Sequence, residues 1–157
     1  MSTVAAPVLV PMTSRHLGSV RAIDELVYSR PWSRATWRTE LADATRFHLV
    51  AGDQGSVVGH GGLLFVADEA HVTTVAVHPD HQGRGVATRL LLALLEEARR
   101  RDTTAVTLEV RAGHRPTQRF YGRFGFTPVG VRRRYYVDPV DDAVVMWLHD
   151  LAGERVT

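Results

Sequence analysis

The spacing of apolar residues predicts two amphipathic helices in the first part of the chain. The first begins behind a cap at Thr13 or Ser14, is stopped by Pro31, and carries an apolar stripe at helical spacing: Leu17, Val20, Ile23 and Val27. Ser33 is typical of the cap of a second, shorter helix that runs to about Asp43. This second helix carries two apolar residues four positions apart on one side, Trp37 and Leu41.

Alternating or continuous apolar runs then predict a set of strands. They cover Phe47 to Ala51, Val57 to Val66 and His71 to Val77, and an earlier strand covers Val8 to Val10. The segments between the later runs contain Gly52, Asp53, Gly55, Asp68 and Glu69, which favour tight hairpins over long crossovers. We therefore expect this middle section to be antiparallel.

After the third of these runs the pattern changes to strand, helix and strand. Gly83 and Gly85 precede a helix with an apolar side formed by Val86, Leu90, Leu91, Leu94, Leu95 and Ala98. A strand from Thr104 to Arg111 follows, with Val106, Leu108 and Val110 on one face and Thr107, Glu109 and Arg111 on the other. One parallel strand pair is therefore predicted.

The last part of the chain predicts one more helix and two strands. Pro116 is typical of a helix start, Phe120 and Phe124 are expected on the helix, Phe120 facing the core, and Gly125 fits the position just past its end. Strands are expected over Thr127 to Val137 and Ala143 to Leu148. The whole chain, 1–157, is predicted to form a single mixed α/β domain with a largely antiparallel sheet, one parallel pair and about four helices.

The amino-acid composition excludes several kinds of catalytic and binding site. Of the 157 residues 45% are hydrophobic and 23% charged, none is cysteine, and all 19 basic residues are arginine. A thiol nucleophile, a thiolate zinc site, a Schiff-base lysine and the lysine of a Walker phosphate loop are excluded. The sequence contains no stretch of the ~20 apolar residues that cross a bilayer and no secretion signal. We therefore expect a cytoplasmic protein without a membrane partner.

The most informative segment runs from Val75 to Thr88 and joins a strand, a glycine-rich turn and a helix start. Backbone N–H groups converge there beside the positive end of a helix dipole, an arrangement that binds phosphate. An ordinary strand-to-helix turn would use the same glycines. A dinucleotide site is a third interpretation, because Gly83-x-Gly85-x-x-Thr88 nearly fits the Rossmann fingerprint and Glu109 ends the next strand. The hairpins before it and the single parallel unit disfavour that interpretation.

The segment Gln82-x-x-Gly85-x-Ala87 resembles the acyl-CoA pyrophosphate motif of the GCN5-related N-acetyltransferase (GNAT) superfamily. The similarity runs through most of the chain and is greatest to the ribosomal-protein alanine N-acetyltransferases of the RimI type. The residues that carry it are Pro31-Trp32-Ser33, Leu108-Glu109-Val110-Arg111, Phe120-Tyr121 before Gly125-Phe126, and Arg132 to Tyr136.

The resemblance implies acetyl-CoA as cosubstrate and a set of contacts to it. Strand backbone at Val75, Ala76 and Val77 would face the pantetheine arm, in a gap where this strand splays from its parallel neighbour. Gln82, Gly83, Arg84, Gly85, Val86, Ala87 and Thr88 would hold the pyrophosphate. His114 stands where the family usually has an asparagine that bonds the cofactor, and imidazole can still donate or accept a hydrogen bond.

For catalysis the resemblance implies Glu109 as general base and Tyr121 as the group that protonates the leaving thiolate. The N–H of Val77 is a candidate donor to the carbonyl oxygen. Without those motifs, Glu109 would be interpreted as a solvated strand carboxylate or a partner of Arg111, and Tyr121 as a packing tyrosine with its hydroxyl in water.

The implied acceptor is the N-terminal α-amine of a protein, including alanine on a small-subunit ribosomal protein. Pro31 and Trp32, together with Tyr135 and Tyr136, would flank the bound peptide. Two alternatives stay open: acetylation of a small-molecule amine, and a non-catalytic acyl-CoA-binding module, which the change at His114 motivates.

The other charged residues carry weaker signals. His78, Asp80 and His81 lack the one-face spacing of a helical zinc motif, so no metal is expected. His60 and His71 have no partner suggested by the sequence and are interpreted as ordinary strand residues. The run Arg132 to Arg134 is interpreted as a solvated hairpin edge, and no specific nucleic-acid partner is expected.

Overall fold

A computed structural model gives the fold of residues 7–53 and 55–149. Within these ranges the strands β1 to β7 cover Val8–Pro11, Arg46–Asp53, Ser56–Val66, Glu69–Val77, Ala105–Arg111, Thr127–Val137 and Val140–His149. The helices α1 to α4 cover Leu17–Val27, Arg34–Ala42, Val86–Arg100 and Arg115–Gly122, and two 3-10 turns cover Ser14–His16 and Pro79–His81.

The strands form one mixed sheet. They hydrogen-bond in the order β1-β2-β3-β4-β5-β7-β6. Strands β4 and β5 pair in parallel from Glu69–Ala105 to His71–Thr107, whereas β1–β2, β2–β3, β5–β7 and β6–β7 are antiparallel. The prediction of a largely antiparallel sheet with one parallel pair is therefore confirmed.

The chain divides into two compact units. The described part of the first comprises residues 7–64 and 72–96, and that of the second comprises residues 65–71 and 97–149. The prediction of a single domain over 1–157 stays a prediction, and the two ends of that range lie outside the described residues.

In the first unit, α1 and α2 bury their apolar sides as their spacing predicts. A cluster of buried side chains joins them to β2: Met12, Leu17, Val20, Trp37 and Val50, with Leu41 and Val57 packed against it. Helix α3 lies so close to β3 that a Cβ on Gly59 would lie 2.9 Å from the Ala76 carbonyl oxygen and 3.1 Å from Val86. A side chain larger than hydrogen at Gly59 would therefore displace the Ala76 backbone of β4 and crowd Val86 of α3.

Two histidine–carboxylate pairs also lie inside the first unit. His60 on β3 contacts Asp24 on α1 at 2.7 Å, and His48 on β2 contacts Glu40 on α2 at 3.0 Å. The ring of Trp37 packs edge-on against both imidazoles, with centroid distances of 5.1 Å to His48 and 5.6 Å to His60. His60 therefore lies on a strand as expected, and its partner Asp24 is one that the sequence did not suggest.

In the second unit, β5 alternates as predicted. Val106, Leu108 and Val110 are buried, and the intervening residues Thr107, Glu109 and Arg111 are partly exposed. Several boundaries differ from the prediction. In this unit α4 ends at Gly122, before Phe124, and β7 begins at Val140 rather than Ala143, and in the first unit α1 ends at Val27, before Pro31. Gly125 has a φ of 97°, as expected for the residue that turns the chain after a helix.

Candidate active site

The glycine-rich turn of the first unit has the strand–turn–helix form that the sequence predicts. Strand β4 ends at Val77 and α3 begins at Val86. Gly83 and Gly85 adopt φ angles of 78° and 81°, and a Cβ built on either would meet nothing within 4 Å. The backbone conformation, not crowding, therefore requires glycine at both positions.

The start of α3 provides N–H groups that point away from the helix. The amide of Arg89 donates to the Gly85 carbonyl at 3.1 Å, which is the first turn of the helix. The amides of Val86, Ala87 and Thr88 precede that bond and have no carbonyl to bind within α3. Together with the positive end of the helix dipole they form a cradle whose chemistry fits a diphosphate.

Gln82 stabilises the turn by a hydrogen bond to the strand that precedes it. Its side-chain amide donates to the Val77 carbonyl at 3.2 Å, which ties the end of β4 to the residue before Gly83. His78 makes a second local bond, because its Nδ1 accepts from the amide of Asp80 at 3.0 Å. Within residues 7–53 and 55–149 no group of three or more histidine, aspartate or glutamate side chains is close enough to hold a metal ion.

In the second unit the carboxylate of Glu109 has two partners that the sequence did not indicate. His71 Nε2 lies 3.0 Å from Oε1 and Arg132 Nε lies 3.3 Å from Oε2. The Glu109 side chain is only 11% exposed. The alternative interpretation of Glu109 as a solvated carboxylate was therefore wrong. His71 lies on a strand as expected, and its contact with Glu109 is one that the sequence did not suggest.

Arg111, the partner that the sequence suggested for Glu109, is used elsewhere. Its guanidinium donates to the carbonyls of Pro139 and Asp138 at 2.8 Å and 3.1 Å and stacks on the ring of Tyr136. These contacts fix the β6–β7 turn and one of the two tyrosines proposed to hold a peptide. Tyr135 remains half exposed at the surface of the same hairpin.

Tyr121 is more deeply buried than the sequence suggested. It is 7% exposed and packs edge-on against Phe126 at 5.6 Å and Phe120 at 5.1 Å, whereas Phe120, expected to face the core, is partly exposed. The Tyr121 ring therefore packs in the interior of the second unit, and its catalytic role stays a prediction.

His114 occupies the N-cap position of α4 and is exposed. Its Nδ1 forms a short hydrogen bond with the hydroxyl of Thr117, one turn into the helix. The His114 side chain therefore bonds another side chain and caps no backbone N–H of α4, and its Nε2 is the ring nitrogen that is not used in this bond.

Pro31 and Trp32 lie at the surface of the first unit, between α1 and α2. The Trp32 ring packs edge-on against the buried Trp37 at 5.0 Å. Nearby, Tyr28 at the end of α1 bonds Thr74 on β4 at 2.5 Å, and burial raises the pKa of the Tyr28 phenol although that bond opposes the shift.

Comparison with known proteins identifies the family of the chain. Residues 17–126 match the Acetyltransferase (GNAT) family. The chain belongs to this family of acetyltransferases. The match includes the glycine-rich turn, Glu109 and Tyr121, and the GNAT protein is an acetyl-CoA-dependent N-acetyltransferase, as the sequence predicted.

Two named relatives and one solved structure match most of the chain. The chain is 38% identical over 120 residues to the N-alpha-acetyltransferase RimI of Mycobacterium tuberculosis, covering 74% of each protein. It is 31% identical over 129 residues to the ribosomal protein bS18-alanine N-acetyltransferase of Escherichia coli K12, covering 80% of this chain and 86% of that one. The crystal structure of the ribosomal-protein-S18-alanine N-acetyltransferase from Escherichia coli superposes with a TM-score of 0.85 at 27% identity, covering 96% and 99%.

No helix among the described residues of this GNAT protein is long and apolar enough to cross a membrane.

Proposed function

We propose that this GNAT protein acts in the cytoplasm, as a single catalytic domain, and acetylates the N-terminal α-amine of a protein. The proposed acceptor is the N-terminal alanine of ribosomal protein bS18. The observation that carries the proposal is the similarity, along most of the chain, to relatives named for N-terminal acetylation.

The chemistry of the acceptor supports an α-amine. An amine must be neutral to attack a thioester, and an α-amine with a pKa of about 7.7 to 8.0 is about a tenth neutral at pH 7. A lysine amine, with a pKa of about 10.4, lies about 2.5 units further away, which costs about 3.4 kcal/mol more to deprotonate. A single carboxylate on a strand is therefore a sufficient general base for an α-amine and a poor one for a lysine amine.

In the proposed reaction the amine nitrogen bonds to the acetyl carbon and the carbon–sulfur bond breaks. Glu109 takes the proton that the amine loses, directly or through a water molecule. Tyr121 gives a proton to the departing sulfur, and the N–H of Val77 bonds the acetyl oxygen. The sequence has no cysteine, which agrees with direct attack rather than a thioester-linked enzyme.

Binding roles are proposed on the same basis. Backbone at Val75, Ala76 and Val77 would contact the pantetheine arm, and the turn from Gln82 to Thr88 would hold the diphosphate of acetyl-CoA. His114 would reach the cosubstrate through Nε2. Four surface residues would contact the acceptor peptide: Pro31, Trp32, Tyr135 and Tyr136.

The test is acetyl-CoA turnover with peptides that differ only in their first residue. A peptide that begins with the bS18 N-terminal sequence should gain one acetyl group, and the same peptide with a blocked N-terminus should gain none. Free polyamines and amino-sugar antibiotics serve as the competing acceptor class. Turnover of those amines without turnover of the peptides would overturn the proposal.

A further inference from the structure

Three strands of the second unit send side chains to one carboxylate. Glu109 comes from β5, His71 from β4 and Arg132 from β6. His71 contacts one oxygen of the carboxylate and Arg132 contacts the other, so both oxygens of Glu109 have a partner.

The register of the sheet explains how His71 reaches Glu109. The last parallel pair between β4 and β5 joins His71 to Thr107, and Glu109 lies two residues further along β5. Side chains two residues apart on a strand share a face, so His71 and Glu109 are diagonal neighbours on the same side of the sheet. Arg132 approaches from the other direction, since it pairs with Ala143, which in turn pairs with Arg111 on β5.

The two partners are not equivalent. The Arg132 side chain is 60% exposed, so solvent and salt screen its attraction to Glu109. The His71 side chain is 27% exposed and its contact is shorter, 3.0 Å against 3.3 Å. Because a carboxylate can only accept, His71 donates from Nε2, and this bond fixes the otherwise broad terminal torsion of the glutamate.

The two ion-pair contacts leave lone pairs of the carboxylate available for a further hydrogen bond. A carboxylate has about four lone-pair positions, and the contacts to His71 and Arg132 occupy one on each oxygen. A held carboxylate with lone pairs left over is what a base needs, because proton transfer requires a donor–acceptor distance near 3 Å in a fixed direction.

We infer that His71 is a positioning residue for the reaction, which holds the Glu109 carboxylate in the orientation that receives the proton of the acceptor amine. The inference rests on the proposed function and adds to it the residue that orients the base. The amine N–H bond breaks, the proton goes to a Glu109 oxygen, and the His71 N–H stays on the imidazole throughout.

The test compares His71→Phe, which removes the donor, with His71→Gln, which returns an N–H donor. His149→Phe is the matched control, because His149 is an exposed residue of β7 in the same unit and its ring stacks on Trp147. Peptide acetylation is measured from pH 6.5 to pH 9, with kcat and both KM values, and thermal unfolding checks each variant.

For His71→Phe we expect kcat to fall about tenfold at pH 7, with KM for acetyl-CoA within twofold of the parent. The deficit should shrink toward pH 9, where the α-amine is already neutral and needs less help. His71→Gln should recover most of the loss, and His149→Phe should behave as the parent.

A loss in His71→Phe that is equal at every pH, no loss at all, or no recovery in His71→Gln would overturn the inference. If His71→Phe does not fold, the kcat of His71→Gln is compared with the kcat of Glu109→Gln instead. A His71→Gln variant that is as slow as Glu109→Gln would contradict the inference. The activity of the parent enzyme distinguishes the failure of the proposed function from the failure of the inference about His71. If the parent acetylates no peptide, the proposed function is refuted and the geometry at His71 is not.

Discussion

Asp24 and His60 bond across the interior of the first unit, with Oδ1 and Nε2 2.7 Å apart. The Asp24 side chain is 4% exposed and the His60 side chain is not exposed at all. The other ring nitrogen of His60, Nδ1, is buried without a hydrogen-bond partner in the described part of the chain. The Nε2 bond therefore joins α1 to β3 and leaves the second nitrogen of the imidazole unpaired.

Asp24→Ala should lower the free energy of unfolding by about 3 kcal/mol, because it leaves a buried imidazole donor with no acceptor. Replacing both residues with leucine should recover most of that loss, since no polar group is then left unpaired. Urea unfolding of the parent and of both variants measures the difference. A cost below about 1 kcal/mol in Asp24→Ala would show that the bond contributes little.

The second buried pair predicts a pH dependence of stability. Burial lowers the pKa of the His48 imidazole, although its hydrogen bond with Glu40 opposes the shift. The unfolded chain, with an ordinary histidine pKa of about 6.5, then binds a proton that the folded chain does not bind until lower pH. Stability should therefore be full above about pH 6.5 and fall as the pH drops below that value.

His48→Gln should make this decline less steep, and His114→Gln, at an exposed histidine, should leave it unchanged. Urea midpoints between pH 7.5 and pH 5 provide the comparison. An identical slope in His48→Gln and in the parent would assign the decline to other groups.

Gly85→Ala should weaken coenzyme A binding about tenfold or more, which corresponds to about 1.4 kcal/mol. The methyl group itself has room, so the loss comes from forcing alanine into a left-handed backbone and from turning amides away from the diphosphate. Isothermal titration calorimetry with coenzyme A measures the affinity.

Gly55→Ala is a close control for this change. Gly55 has a φ of 86°, a Cβ there would also meet nothing within 4 Å, and it lies in the turn between β2 and β3. Both variants should lose about 1 kcal/mol of stability, but Gly55→Ala should keep its affinity for coenzyme A. Equal affinities in the two variants would remove the glycine turn as the diphosphate site.

Tyr121→Phe should slow acetyl transfer about a hundredfold and leave coenzyme A affinity nearly unchanged. The phenylalanine ring preserves the edge-on packing against Phe126 and Phe120, so folding should change little. Single-turnover kinetics isolate the transfer step. A normal transfer rate would leave Tyr121 with a packing role alone.

Local signals explain which elements the sequence could predict. Ser33 caps α2 through its hydroxyl, which accepts from the amide of Thr36 at 3.1 Å, and this requires only residues three apart. The glycines at 83 and 85, and the alternation of β5, are local in the same way. Their positions in the structure follow the predicted pattern closely.

Long-range partners could not be predicted in this way. Asp24 and His60 are 36 positions apart, and the contact of His71 with Glu109 depends on the register of two parallel strands, which no spacing in the sequence specifies. Helix ends were also displaced: the helical pattern continues past Gly122, but the chain leaves α4 there to enter β6. The family resemblance indicated Glu109 as the base, and only the fold reveals what holds it.

The most direct test of the central claim is one peptide that offers both kinds of amine, a free N-terminal alanine and an internal lysine, incubated with acetyl-CoA and the enzyme near pH 7. Tandem mass spectrometry locates the added mass of about 42 Da. This is the mass of the acetyl group that the nitrogen gains minus that of the hydrogen it loses. The account predicts acetylation of the alanine nitrogen with the lysine untouched. Acetyl on the lysine, or on neither amine while coenzyme A still binds, would contradict it.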